Sequence, residues 1–305
     1  MRATLCSAEL IAATDANILL NGESGTGKEL MARAIHHHSP RAGQPFIAVN
    51  CAALPETLAE SLLFGHCKGV FTGADQASAG LIAAAHRGTL LLDEVGELSA
   101  TLQAKLLRFL ESGEILTLGK AQPHHVDVRV LAATHRDLYQ QTRSGQFRSD
   151  LYYRLNIVPV MLPPLRDRSE DIELLGKYFL NLFANHHRLP VATLTPEALC
   201  VLQRHSWPGN IRELKNTCER LSILLQGQSI RKQDVLHHLS PEIARSTDGN
   251  MAFRLPADGL SLEALECDLL QQALQQTRQN RTRAARLLGI TRDALNYRLK
   301  KHALI

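Results

Sequence analysis

Short apolar runs recur along the first half of the chain, separated by stretches with helical spacing. They are Ile18-Leu19-Leu20, Phe46-Ile47-Ala48-Val49, Leu90-Leu91-Leu92, Val128-Arg129-Val130-Leu131-Ala132 and Ile157-Val158-Pro159-Val160. A strand with no polar side is one buried on both faces, so this alternation predicts an α/β fold with a mostly parallel sheet covered by helices on both faces. After Leu162-Pro163-Pro164 the strands stop, and helical patterns run on, clearest at 169–185, 196–205 and 210–225. Residues 240–259 are rich in Ser, Pro, Gly, Asp and Asn and read as a linker. Beyond it Leu262, Leu265, Leu269 and Ala273 return to helical spacing. The expected organisation is an α/β subdomain at 1–165, a helical subdomain at 166–239, the linker, and a small all-α domain at 260–305.

Composition narrows the class. The chain has 305 residues, 45% of them apolar and 21% charged, which is ordinary for a protein with a buried core. No apolar run approaches the roughly 18–20 residues needed to span a bilayer, and Glu9 and Asp15 interrupt the early apolar stretch, against a secretory signal. The six cysteines are scattered without a C-x-x-C pair, as expected of free thiols in a reducing cytoplasm. Charge is uneven: residues 278–305 hold eight Lys/Arg and one acid, Asp293. Of the chain's 34 basic and 30 acidic residues, that leaves 26 and 29 for the rest, a slightly acidic body with a basic tail suited to a polyanion.

The candidate chemistry begins after the first apolar run, at Gly22, Glu23, Ser24, Gly25, Thr26, Gly27, Lys28 and Glu29. A strand, a Gly-rich turn and then a helix let successive backbone N–H groups face phosphate oxygens, and Lys28 adds charge near the β and γ groups. Glu29 stands where the general phosphate-loop pattern has a magnesium-binding Ser or Thr. The third apolar run ends in Asp93 and Glu94, the arrangement of a Walker B motif. Asp93 is expected to hold Mg²⁺ and Glu94 to orient an attacking water, so ATP with Mg²⁺ is the expected ligand pair. His36-His37-His38 and His124-His125 lack a nearby Cys or acid to complete a tetrahedral set, and are expected to be surface histidines.

At the other end, residues 280–301 read as helix, tight turn at Gly289, helix, with Asn280 and Thr291 as N-caps. Ala285, Leu288, Ile290, Leu295 and Leu299 are expected to pack the two helices together. Arg292, Asn296 and Arg298 are then expected to face a major groove, with Arg281, Lys300 and Lys301 also assigned to DNA.

These motifs together resemble the bacterial enhancer-binding activators of sigma-54 RNA polymerase, a branch of the AAA+ ATPases, over 16–304. The family's phosphate loop is itself GESGTGKE, terminal Glu included. Its most specific mark, the GAFTGA loop, is matched by Gly69, Val70, Phe71, Thr72, Gly73 and Ala74. In the family this loop touches the sigma factor through its Phe and Thr. Val70 replaces the usual Ala, which stiffens the loop, and Cys67 stands where an acid is usual.

Further roles follow from the resemblance. Asn50 matches the asparagine that pairs with the Walker B glutamate, and Thr134 the sensor I position, followed by His135 in place of the usual Asn. Arg148 and Arg154 match two arginine fingers. On a single helix they sit roughly 120° apart, so both reach one phosphate only if part of the stretch is not helical. Arg212, in Trp207-Pro208-Gly209-Asn210-Ile211-Arg212, matches sensor II. Fingers acting in trans imply a ring, and the family forms hexamers. The C-terminal helices resemble a Fis-type helix-turn-helix, with the 262–274 helix as dimerisation element.

The implied function is an ATP-driven remodeller of the sigma-54 holoenzyme closed complex, anchored at enhancer DNA, with no membrane. A DNA-binding regulator whose ring serves only oligomerisation is the alternative, and an unfolding chaperone is disfavoured because no aromatic pore loop is evident. No receiver or ligand-sensing domain is expected before residue 16 and the segment that usually helps hold adenine is short, so control is expected from a partner unless the chain is truncated.

Overall fold

All five apolar runs become strands of one sheet. The computed structural model describes residues 1–71, 74–239, 262–277 and 280–302. Thr72 and Gly73 of the expected sigma-contact loop lie outside the described residues, as does the expected linker. Strands β1 (Ile18–Asn21), β2 (Phe46–Asn50) and β3 (Thr89–Asp93) are followed by a short antiparallel pair, β4 (Glu114–Ile115) with β5 (His124–His125). Strands β6 (Arg129–Thr134) and β7 (Val158–Met161) complete a parallel five-stranded sheet in the order β2-β3-β6-β1-β7.

Alternate residues of these strands feed two cores. Ile18 and Leu20 of β1, with Leu91 and Leu131, pack under α1 (Arg2–Ala12) and α2 (Lys28–His37) through Ala8, Met31 and Ile35. Leu19, Leu90, Leu92, Val130 and Ala132 face the other way. They meet α3 (Glu56–Phe64), the single turn α4 (Leu81–Ala84), α5 (Ala100–Ser112), α6 (Leu138–Arg143) and α7 (Ser149–Leu155). Leu90, Leu91 and Leu92 are all fully buried, each worth about 1.5–3 kcal/mol by removal from water. This is the period-2 signature of a central strand with a core on each side.

A helical bundle follows: α8 (Glu170–His187), α9 (Pro196–Arg204), α10 (Asn210–Leu224) and α11 (Lys232–Leu239). Its core centres on Trp207, which is fully buried and donates its indole N–H to Leu202 O at 2.8 Å. Strands do not quite stop at Pro164. A two-residue parallel pair, β8 (Thr193–Leu194) with β9 (Ser229–Ile230), ties the ends of this bundle, and like the β4–β5 pair it is too short to leave a period in the sequence.

A second compact unit holds α12 (Leu262–Gln276), α13 (Arg281–Leu287) and α14 (Arg292–Lys301) around Leu270, Ala273, Leu274, Ala285, Leu295 and Leu299. Among the described residues no helix is long and apolar enough to cross a membrane, and no cluster of three His, Cys, Asp or Glu could hold a metal ion. All six cysteines are free, and burial pushes the Cys51 and Cys218 thiols up to about 12. One histidine departs from expectation: His36 is buried, bonded to Thr89 Oγ1 at 2.9 Å and packed on the Phe46 ring. Helical spacing turns it under the sheet while His37 and His38 stay exposed.

Candidate nucleotide site and nucleic-acid interface

The chain leaves β1 at Asn21 and turns through Gly25 and Gly27, whose φ values of 77° and 100° lie in the left-handed region that glycine adopts without strain. Gly27 is the N-cap of α2, so the unpaired N–H groups of the helix's first turn open toward the loop. Lys28 is only 7% exposed. Its Nζ donates to Gly22 O at 2.9 Å and Glu23 O at 3.3 Å and lies 3.8 Å from Glu94 Oε1. Burial pushes its ammonium below the ordinary lysine value, which sharpens the demand for an anion beside it.

Opposite stand Asp93 and Glu94 at the end of β3. Burial, then the neighbouring Glu94, pushes the Asp93 carboxyl above its ordinary value, so the site is short of positive charge. A loop of N–H donors and a lysine facing two carboxylates fits a phosphate chain with a divalent cation, which itself takes few protein ligands. Glu29 is not part of this arrangement: its side chain is exposed and accepts from Arg33 Nε and Nη2 at 3.1 and 2.7 Å. The Thr26 side chain is buried and donates to Glu23 O at 2.8 Å.

Thr134 and His135 sit where β6 ends. Thr134 is fully buried, and its hydroxyl oxygen accepts from Arg136 N at 3.0 Å. Glu94 Oε2 lies 2.6 Å from His135 Nδ1 and 3.3 Å from His135 N. Asn50 does not carry the contact that the resemblance implied for it. Its Oδ1 instead accepts from Ala52 N at 3.0 Å, capping the 3₁₀ turn Cys51–Ala53. A cavity of about 390 Å³ opens beside these groups, lined by Asn21, Gly22, Glu23, Thr134, His135 and Tyr152 among others.

The helical bundle closes directly on the loop. Ile211 N donates to Gly25 O at 3.0 Å, and a Cβ on Gly25 would lie 2.4 Å from Gly209 O, so only glycine fits there. Arg212 Nη1 donates to Ser24 Oγ at 3.0 Å. Sequence reasoning missed three further contacts. Arg166 grips Glu23 through two bonds of 2.9 and 2.6 Å. Asn210, fully buried, donates to Glu23 Oε2 and Ser24 O while its Oδ1 accepts from Leu165 N. Arg168 Nη2 donates to Thr26 O at 2.9 Å. The available signal was topological: Arg166 and Arg168 follow the last sheet strand, at the same edge from which the loop leaves β1.

Arg148 and Arg154, which the resemblance matched to arginine fingers, make their side-chain bonds away from the loop. Arg148 is the extended N-cap residue of α7 and only Arg154 is helical, so the non-helical break required for joint action is present. Arg148 forms a two-bond pair with Asp150 at 3.1 and 2.7 Å, and Arg154 donates to Leu110 O at 3.1 and 3.0 Å.

In the loop expected to contact the sigma factor, Gly69 (φ 82°) starts the turn, Gly69 N donates to Ala74 O at 2.9 Å, and the Phe71 ring lies tilted at 5.0 Å from the His66 ring. Val70 lies over Gly119, in the β4–β5 connection, where a Cβ would meet its Cγ2 at 2.5 Å.

In the C-terminal unit both expected caps form: Asn280 accepts from Arg283 N and Thr291 from Ala294 N, each at 3.2 Å. Arg292, Lys300 and Tyr297 (72% exposed) are open, and Arg281 Nη1 reaches Asn296 Oδ1 at 3.5 Å. Two residues expected to contact DNA, Arg298 and Lys301, are exposed but already paired with acids of α12. Arg298 pairs with Glu266 at 3.0 Å, and Lys301 lies 3.6 Å from Glu263 and 4.0 Å from Glu266. Glu266, on α12, accepts from His302 as well, and these cations hold its carboxyl below the ordinary value.

A parallel sheet ordered β2-β3-β6-β1-β7, a phosphate loop following its inner strand β1 and a helical lid bonded to that loop define a P-loop ATPase of the AAA+ class. Residues 1–161 match the Sigma-54 interaction domain, 166–251 the AAA+ ATPase lid domain, and 261–302 the bacterial regulatory protein, Fis family. The chain belongs to the sigma-54-dependent transcriptional activators. It is 46% identical over 298 residues to the regulatory protein AtoC of Escherichia coli K12, covering 96% of this chain and 64% of that one. It is 47% identical over 291 residues to the phenol regulator MopR of Acinetobacter guillouiae, covering 94% and 52%. Among solved structures, NtrX from Brucella abortus in complex with ADP is similar at a TM-score of 0.76 and 34% identity, covering 98% of this chain and 66% of that one. The chain thus spans about half to two thirds of the length of these relatives.

Proposed function

We propose that the chain hydrolyses ATP in a head-to-tail ring, a hexamer by family resemblance, and uses that energy to open the sigma-54 polymerase closed complex from a DNA-bound position. The carrying observation is the split of charged groups: Lys28 and Glu94 converge within one subunit, whereas Arg148 and Arg154 face outward from another part of it. The loop N–H groups and Lys28 bind the phosphates, and Arg212 reports nucleotide to the lid through Ser24. Asp93 is suited to hold Mg²⁺, which when bound would neutralise charge on the β and γ groups. Glu94 orients the attacking water, and a neighbour's Arg148 and Arg154 stabilise the charge developing on the γ-phosphoryl group. Thr134 ties sensor I to the loop through its carbonyl, which accepts from Gly22 N at 3.3 Å.

The loop 69–74 is proposed as the moving sigma contact, through Phe71 and Thr72. The C-terminal unit is proposed to read enhancer DNA through Arg292, Asn296 and Tyr297, with Arg281 and Lys300 near phosphates. Its α12 has an open apolar face, with Leu262 78% exposed, suited to pairing two copies on a palindrome. The linker at 240–259 joins this unit to the ATPase. The test is an open-complex assay: enhancer-bearing promoter DNA with sigma-54 holoenzyme melts on addition of this chain and ATP, and an absence of ATP-dependent melting overturns the reading. A regulator whose ring serves oligomerisation alone is favoured by one observation, the packing of Val70 on Gly119 and Phe71 on His66. Such a protein assembles and binds DNA in the same assay but never melts the promoter.

A further inference from the structure

We infer that His135 holds the Glu94 carboxylate in register for water activation, a role separate from the pairing that the resemblance implied for Asn50; the inference rests on the ATPase reading above. Glu94 has a left-handed backbone, φ 54° and ψ 47°, a region non-glycine residues rarely adopt, so its side chain leaves the end of β3 in a direction set by that turn. Asp93 Oδ1 accepts from Glu94 N at 3.1 Å and fixes the turn from one side. From the other side, His135 supplies two contacts to the same oxygen: Nδ1 at 2.6 Å and the backbone N at 3.3 Å from Oε2. A carboxylate only accepts, so Nδ1 carries the hydrogen.

Two donors on Oε2 determine what Oε1 does. It faces Lys28 Nζ at 3.8 Å. The lysine is the group that a bound phosphate engages, and once it is so engaged the lone pairs of Oε1 are free to accept from a water. A carboxylate pinned at one oxygen keeps one orientation, whereas an unpinned one rotates among several and presents the wrong edge to the water for part of the time.

Asn50 is badly placed to share the work. It ends β2, its register partner in β3 is Asp93 rather than Glu94, and its Oδ1 is committed to Ala52 N. His135 follows β6 directly, and the cavity of about 390 Å³ that it lines also reaches Gly22 and Glu23 of the loop.

The test is steady-state ATP hydrolysis by the full chain at a concentration where it assembles, alongside titration with a fluorescent ATP analogue. His135→Ala is expected to lower kcat by about tenfold while leaving KM and analogue affinity within about twofold. His135→Asn, whose amide N–H reaches for the same oxygen, is expected to return kcat to within about threefold of the unsubstituted chain. Asn50→Ala is expected to lose less than His135→Ala. A His135→Ala protein as active as the parent, a loss carried in KM, a failure of His135→Asn to recover activity, or a larger loss from Asn50→Ala overturns the assignment. If the parent chain itself hydrolyses no ATP, the ATPase reading falls, a result distinct from all four.

Discussion

The loop face and the finger face of the ATPase unit carry charged groups held in opposite ways. At the loop, Lys28 and Asn210 are buried; they donate to backbone carbonyls and to the Glu23 carboxylate, and Asn210 Oδ1 accepts from Leu165 N. At the finger segment, Arg148 and Asp150 are both exposed and bound mainly to each other, with Tyr153 and Ile157 open nearby. Buried polar groups of the first kind are costly to disturb because no water replaces a lost partner; exposed pairs of the second kind exchange partners readily. The contrast teaches where the active site is incomplete. The groups proposed above to bind phosphate are assembled within one chain, and the two arginines proposed to act on a neighbour's transition state are kept on an accessible surface.

The largest expected effect tests that division directly. Arg148→Ala should retain nucleotide affinity yet lose hydrolysis by about 10³-fold, the usual scale for an arginine finger. Mixed rings with Glu94→Ala subunits should regain part of it, because an intact loop then meets an intact finger across a boundary. Mixtures that regain nothing break the comparison. The next effect lies on the loop face. Lys28→Ala should weaken ATP binding by about 100-fold, roughly 2.7 kcal/mol, read by titration with a fluorescent analogue. Unchanged affinity there would remove Lys28 from the phosphate site.

The strands were legible because each is a run of apolar residues, and both interhelix caps at Asn280 and Thr291 were legible because capping is a local preference. What stayed hidden depends on partners distant in sequence. Arg129 looked like an intruder in an apolar run, and it is buried because it donates to Ala12 O and Ile11 O at 3.0 Å, capping α1 from the start of β6. The Arg166–Glu23 pair joins positions 143 residues apart. Arg298 and Lys301 lie on the basic face of a helix that reads as DNA-facing, and nothing local in the sequence shows that α12 brings Glu266 against it. Periodicity finds faces, but it does not find which charge answers which.

The smallest effect concerns that lid contact. Arg166 above all, then Asn210, holds the Glu23 carboxyl at about 2 against an ordinary value of 4.5. A carboxyl whose value is depressed in the folded state adds stability at pH above its unfolded value, and that contribution is lost as pH falls from 4.5 toward 2. Both partners are substantially exposed, so solvent screening keeps the gain small. Glu23→Gln should therefore lower the thermal midpoint by about 1–3 °C at pH 7. The gap between the two proteins should close as the buffer is taken from pH 5 to about pH 3, where the native carboxyl is losing its advantage. The same substitution leaves Lys28, Asp93 and Glu94 in place, so analogue affinity should change less than in Lys28→Ala. A midpoint gap that persists unchanged at low pH would mean that the lid is held to the loop by the hydrogen bonds of Arg168, Asn210, Ile211 and Arg212, without help from the Arg166–Glu23 ion pair.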